Sequence, residues 1–361
     1  MAAAPISSPL CKVAAANCRP GIHVARHAPH TGAAAPALVP ASSWGGRAAA
    51  PSLRQSRPPR ARDTATACKA GRRVVAAATE TGGLTELTAK LDEHYGLSNV
   101  EGVVGSLKRQ LSGTVFEKEH ADGLQQAGSY IDGLRAHAWH ETDWPEHAWM
   151  KRLENRANVI QKEFAKVNAM KDLDSKAESA WVTAARAEAV SYGPDWRTFV
   201  LQDRELWEDT NIKLFPKTVK LIRDLDVPAV EVFFARQSPQ TGIKSHTDNT
   251  NFILTSHLAL DTPEGEAWIQ CGNEKRYWEN GKGIIMDTSY MHCTENESQD
   301  KDRFVLIIRF WHPDLDKAQR DAVRYVFDFL DHGEKVADDL LAKRRKKAAK
   351  KIPARKGGFG V

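Results

Sequence analysis

Within residues 227–312 the chain passes through five short runs, VPAVEVFFARQ, NFILTSHLAL, EAWIQCG, GKGIIMD and RFVLIIRFWHP, each rich in β-branched or aromatic residues. TPEGE, GNEK and ENGKG separate them, and their Gly, Pro and Asn supply the backbone freedom that tight reversals need. So many short strands at such spacing predict an all-β barrel or sandwich. Helix-like sequence surrounds them. LTELTAKLDEHYGL and VEGVVGSLKRQL fall between 82 and 133, and KRLENRANVIQKEFAKVNAM places Leu153, Ile160 and Phe164 on one helical face. SKAESAWVTAARAEAV (175–190) is expected to form another helix, and Asp316 to cap DKAQRDAVRYVFDFL. The expectation is an α-helical N-terminal layer packed on the barrel. Its divisions are a helical extension over 77–135, a main domain over 136–330 with its β core at about 227–312, and a helix end with a basic tail over 331–361.

Charge is unevenly spread. The formal net charge is +5, yet residues 1–76 carry eleven Lys or Arg against the single acid Asp63. The tail KRRKKAAKKIPARK (343–356) carries nine and no acid. Removing both ends from the 51 basic and 46 acidic residues leaves 31 and 45 between 77 and 342, so the middle is acidic. That excludes a nucleic-acid reading of the global charge. The first 62 residues hold no Asp or Glu and are dominated by Ala, Pro, Arg and Ser, the composition of an organelle transit peptide without a buried core. Its end is expected around Val74 to Thr79. Resemblance to algal and plant targeting sequences favours the plastid stroma over the mitochondrion. No apolar run reaches the roughly 18 residues that span a bilayer. Cys11, Cys18 and Cys68 lie in this leader, leaving only Cys271 and Cys293, too few for a disulfide framework or a thiolate metal cage.

HTDNTN opens the second β run with His246 and Asp248 one residue apart. Two imidazoles and one carboxylate on one face of a ferrous ion leave three positions for co-substrate and oxygen. The third candidate is His292 in IIMDTSYMHCTEN, 46 residues beyond His246, a gap that several antiparallel strands can close. His257 competes, but eleven residues of strand sequence carry it from the loop. In RFVLIIRFWHP, alternation sets Arg303, Val305 and Ile307 on one face, and a buried guanidinium there needs an anion. The same alternation sets His257 with Ile253 and Ala259, so His257 could help Arg303 hold a dicarboxylate such as 2-oxoglutarate.

In this order HTDNTN, His257, YWENGK (277–282), the MD-x-S-x-x-H around His292, Arg303 and FWHPDL (310–315) resemble the aspartyl/asparaginyl β-hydroxylase domain of Fe(II)/2-oxoglutarate oxygenases. The resemblance covers roughly 140–325, with DWPEHAWMKRLENRANVIQKEF as a helical approach to the barrel. It implies a double-stranded β-helix (jelly-roll, cupin-like) core with an N-terminal helical layer and a C-terminal helix. It makes His246 and His292 iron ligands, and Arg303 and His257 the 2-oxoglutarate clamp. The implied reaction hydroxylates an unactivated carbon, with O2 consumed, ascorbate as accessory reductant, and succinate and CO2 released. The substrate it implies is a protein or peptide Asp or Asn side chain, or a related amino acid or acyl chain. Two departures stand out. Asp248 occupies a position where animal members have glycine, and Thr255 replaces an arginine common two residues before the clamp histidine.

Other readings sit beside these. HAWHETDWPEHAWM clusters His137, His140, Asp143 and His147 like a second metal site, but its three tryptophans and Pro145 favour a packing segment at the barrel edge. Cys293 reads as a small buried apolar group, and His312 as structural. The basic tail reads as a solvated helix end, with acidic lipid or RNA as its alternative partner. Two further hypotheses compete with the oxygenase: a non-catalytic barrel docking through that tail, and a cupin metalloenzyme that does not use 2-oxoglutarate.

Overall fold

The computed structural model describes residues 81–173, 181–184, 190–192 and 196–351. The expected leader lies outside them, as does most of the helix expected over 175–190, where the described residues include a short strand at Val182–Thr183. In chain order the elements begin with helices α1 (Thr81–Tyr95) and α2 (Leu97–Ser112) and strands β1 (Phe116–His120), β2 (Gly123–Ala127) and β3 (Trp139–His140). Helices α3 (Ala148–Glu154) and α4 (Ala157–Asn168) follow, then β4 (Val182–Thr183), β5 (Ser191–Tyr192), β6 (Trp196–Asp203), β7 (Leu206–Trp207) and helix α5 (Pro216–Asp224). The barrel strands are β8 (Ala229–Gln237), β9 (Thr241–His246), β10 (Ile253–Asp261), β11 (Ala267–Cys271), β12 (Glu274–Tyr277), β13 (Gly283–Met286), β14 (His292–Asn296) and β15 (Arg303–Trp311). Helices α6 (Lys317–His332) and α7 (Glu334–Lys351) close the described chain.

All pairings in the two barrel sheets are antiparallel. The larger runs β3-β13-β10-β15-β8-β6-β4, with β7 against β6, and the smaller runs β12-β11-β14-β9-β5. This interleaving of sequence-distant strands is the jelly roll. Ala235, Ala259, Val305 and Ile307 meet Ala267, Ile269 and Cys271 in one apolar cluster that belongs to both sheets. The alternate residues Val232, Phe234, Leu254, Leu258, Leu306 and Ile308 pack with Leu153, Ile160 and Phe164 of α3 and α4. Helices, large sheet and small sheet therefore form three layers. Burial of β10 on both faces explains why NFILTSHLAL reads as nearly continuous apolar sequence.

Three expectations need correction. The stretch 77–135 is not wholly helical, because Phe116–Ala127 forms a hairpin with Glu119 opposite Leu124. Ala121 and Asp122 make the turn, and Gly123 opens β2 opposite His120. Gly123 has φ +137°, and a Cβ there would sit 2.5 Å from the Cα of Gly272. The β core also begins before residue 227, since β6 pairs along β8 with Phe199 opposite Phe234, and β3 borders β13 at the other edge. Finally, α1 and α2 belong to a second cluster with α6 and α7, in which Leu87, Leu91, Val103 and Leu107 meet Val323, Val326, Phe329 and Leu341. This cluster reaches the barrel through Val230, Phe252, Ile253 and Trp311.

The capping expectation holds: Asp316 accepts from the Gln319 N–H and the Gln319 side chain returns a bond to the Asp316 N–H. The helix ends at Gly333, whose φ of +83° suits glycine. The basic tail continues as helix to Lys351, with Arg344 paired to Asp328. No helix among the described residues is long and apolar enough to cross a membrane.

Candidate metal and co-substrate site

β9 ends on His246 and β14 begins on His292, and the sheet register sets the two directly opposite, with ring centroids 4.3 Å apart. The 46-residue gap thus closes through one pair of neighbouring strands. His246 Nδ1 lies 2.7 Å from the Lys244 carbonyl, and His292 Nδ1 2.9 Å from the Tyr290 carbonyl. A carbonyl only accepts, so each Nδ1 carries the proton and donates it, leaving an Nε2 lone pair for a metal. Asp248 stands in the loop just after β9, with one carboxylate oxygen 3.8 Å from His246 Nε2. Nitrogen or oxygen atoms from all three residues lie within 4.8 Å of one another, and no other His, Cys, Asp and Glu group among the described residues achieves this. Burial would raise the Asp248 pKa, but Arg309 and then the two imidazoles outweigh it and take the carboxyl down to about 2. The Asp248 carboxylate is therefore ionised at neutral pH.

The loop carrying Asp248 is braced from outside the barrel. Asp248 N–H donates to the Thr288 carbonyl at 2.8 Å. Asn249 adopts φ +69°, a left-handed conformation that Asn tolerates, and its Oδ1 accepts from Gly128 N–H. Asn251, 2 % exposed, accepts from Ile131 N–H and donates to the Ile131 carbonyl, both at 2.9 Å. The two asparagines of HTDNTN are thus loop anchors, a role their sequence did not disclose. Asn251→Ala should cost about 2–3 kcal/mol, since two buried backbone groups lose their partner. Urea unfolding checks this, and a change under about 0.5 kcal/mol would reduce the brace to an incidental contact.

Deeper in the barrel, Arg303 is only 1 % exposed. Its guanidinium carbon sits 4.6 Å from the Trp278 ring centroid, and the His257 ring stacks on the same indole at 5.8 Å and 16°. Arg303 Nε and His257 Nδ1 are buried without hydrogen-bond partners. Burial alone pushes the Arg303 pKa down to about 9, with no carboxylate acting against it. Burial and then Arg303 hold the His257 imidazole neutral. Such a cation, costing several kcal/mol to desolvate, fits a site built for an anionic ligand. Trp278, from YWENGK, joins Arg303 and His257 through one indole.

The turn before His292 is set by Asp287, whose Oδ1 accepts from the Ser289 N–H and hydroxyl while Gln125 Nε2 donates to Oδ2. Cys271 is buried, and burial pushes its thiol well above the ordinary range, so it stays protonated. Cys271 and Cys293 are both buried and form no disulfide, as a packing role requires.

HAWHETDWPEHAWM gathers histidines without a metal-ligand arrangement. His140 Nδ1 faces His147 Nε2 at 3.3 Å, while His312 donates through Nε2 to the Arg135 carbonyl and accepts at Nδ1 from Asp314 N–H. Burial pushes the His140 pKa down to about 2, aided by His312 and His147, and takes His312 to about 4. Between these values and the ordinary 6.5, only the unfolded chain binds the protons. Their stabilising contribution is complete above pH 6.5 and fades as pH falls, by about 1.4 kcal/mol per unit for each. Asp287, pushed up to about 7 by burial, acts oppositely, its contribution complete below pH 4 and fading as pH rises. A His140→Phe variant separates the two. Its unfolding free energy should drop about 2 kcal/mol less than the wild type's between pH 6.5 and 5, and parallel curves would refute this.

Residues 154–313 match the aspartyl/asparaginyl beta-hydroxylase family. Mouse (Mus musculus) aspartyl/asparaginyl beta-hydroxylase is 28% identical over 212 residues, 56% of this chain and 27% of that protein. Human (Homo sapiens) aspartate beta-hydroxylase domain-containing protein 2 is 29% identical over 140 residues, 37% of this chain and 38% of that one. The ornithine lipid ester-linked acyl 2-hydroxylase of Rhizobium tropici is 28% identical over 170 residues, 46% and 58% respectively. The chain thus spans less than two thirds of each of these relatives.

Proposed function

We propose that this chain, whose residues 154–313 belong to the aspartyl/asparaginyl β-hydroxylase family, is an Fe(II)- and 2-oxoglutarate-dependent hydroxylase. The observation that carries this reading is the pairing, in one barrel, of a two-imidazole, one-carboxylate trio with a buried, anion-less arginine. His246, Asp248 and His292 would hold the iron on one face, the donor set that suits ferrous oxygenases. Arg303 would take the C5 carboxylate of 2-oxoglutarate, which replaces the missing counter-anion. Trp278 packs its ring 4.6 Å from the guanidinium carbon, and His257 Nδ1 offers a further polar contact.

Bound ferrous iron would supply the oxidation, in which substrate C–H, 2-oxoglutarate and O2 give C–OH, succinate and CO2. The chain's own work is positional. Backbone carbonyls at Lys244 and Tyr290 hold both imidazoles in the tautomer that presents Nε2. Arg303 would hold one end of the dicarboxylate, and the apolar surface of Ala259, Val305 and Ile307 would help keep water from it. The substrate class follows the relatives: an Asp or Asn side chain, with an acyl chain as the second reading because of the lipid hydroxylase among them.

The test incubates the purified chain with Fe(II), 2-oxoglutarate and ascorbate. Succinate should appear and should vanish on chelation. Iron-dependent 2-oxoglutarate binding is expected even without substrate. Absence of both would favour the non-catalytic barrel. Turnover of another substrate with iron but indifferent to 2-oxoglutarate would favour the other cupin chemistry.

A further inference from the structure

Beyond the charge that helps keep Asp248 ionised, Arg309 has no positional role in the arrangement above, yet it reaches the edge of the metal trio. Its place on β15 is set by register: Thr255 of β10 lies opposite on one side and Glu231 of β8 on the other. The guanidinium bridges two carboxylates from different parts of the chain. Nη1 donates to Glu231 Oε2 at 3.1 Å, while Nη2 lies 3.7 Å from Asp248 Oδ2. Asp248 Oδ1 points the other way, 3.8 Å from His246 Nε2. Thr288 adds a second restraint, since its hydroxyl bonds the Asp248 side chain while its carbonyl accepts the Asp248 N–H. That hydroxyl also lies 3.3 Å from the hydroxyl of Thr255. Each side chain in the Arg309 bridge is about three-quarters sheltered, with 21 to 25 % exposure, so water screens the pairs only in part.

We infer that Arg309 is a positioning residue that engages one oxygen of Asp248 and so reserves the other for the metal. This rests on the iron reading above. A carboxylate free to turn could present both oxygens and occupy a place that 2-oxoglutarate needs. Arg309 opposes that rotation with a cation fixed 3.7 Å from Oδ2 by its bond to Glu231. Glu231 holds the guanidinium in place and shares its charge, so Asp248 is oriented without losing all its donor strength. Outer partners of ligating carboxylates and histidines typically affect metal affinity 10–100-fold.

The experiment loads the whole metal-free chain with Co(II), whose visible spectrum reports coordination number. Affinity is measured by chelator competition, and the spectrum is followed as 2-oxoglutarate is added. Arg309→Met is expected to bind Co(II) about 10–100-fold more weakly and to show altered bands with a diminished response to 2-oxoglutarate. Glu231→Gln should shift both readouts in the same direction by less. If Arg309→Met fails to fold, Arg309→Lys decides. Its single ammonium keeps charge but cannot bridge both carboxylates, so affinity and spectrum should still depart from wild type. Wild-type affinity and spectrum in a folded Arg309 variant would overturn the inference and leave the iron reading standing. A wild-type chain that binds no Co(II) would overturn both.

Discussion

Arg303→Met is expected to make the ligand-free protein more stable while abolishing its response to 2-oxoglutarate. The arginine is buried without an anion, and methionine fills similar space with no charge to desolvate. Replacing buried charge by apolar volume commonly stabilises by about 1–4 kcal/mol. In the wild type, 2-oxoglutarate at a hundredfold over its Kd should add about 2.7 kcal/mol to stability, whereas the variant should gain almost nothing. Loss of a buried charge partner corresponds to roughly 10²–10³-fold weaker binding. Thermal or urea melts with and without 2-oxoglutarate read both effects. A destabilised variant that still gains from the ligand would show that Arg303 is a structural residue and that the clamp lies elsewhere.

His292→Ala should abolish metal-dependent turnover. Its imidazole is one of two that face each other across paired strands, and neither Asp248 nor His246 can reach around to replace it. Loss of a direct ligand should exceed the 10–100-fold cost of losing an outer partner, so succinate formation should fall by at least about 10³-fold. The fold should survive, because the ring sits at the end of β14 and not in the apolar layers. Circular dichroism and Co(II) titration separate these outcomes. A folded variant that keeps a tenth of the activity would remove His292 from the metal centre.

The grouping of His246, Asp248 and His292, and the burial of Arg303 near His257, were legible because strand alternation and motif order constrain one another. Once β15 is a strand, Arg303 must share a face with Val305 and Ile307, and the structure places those residues facing the small sheet. The core faces of α3 and α4 were equally plain in the spacing of Leu153, Ile160 and Phe164, although the helix is interrupted at Asn155 and Arg156. What escaped notice depends on pairing between distant strands. Arg309 lies one pleat from Ile307, and nothing in RFVLIIRFWHP says that Glu231 and Asp248 flank it. Thr255 was read as the loss of an arginine. In the folded sheet an arginine stands directly opposite it, contributed by β15. Trp278 was visible as part of a motif but not as a floor shared by two polar residues. The hairpin Phe116–Ala127 is not legible in the sequence because the helical patterning on its N-terminal side overshadows its short turn at Ala121–Asp122.

The Asn249 and Asn251 contacts to Gly128, Ser129 and Ile131 bear on where this catalytic unit begins. The family match spans residues 154–313, yet the strut that holds the Asp248 loop comes from residues 128–131. A recombinant fragment trimmed to the similar region would keep every liganding side chain and lose the scaffold beneath one of them. Limited proteolysis that nicks the chain between the hairpin and β3 should therefore release bound metal before the barrel itself melts.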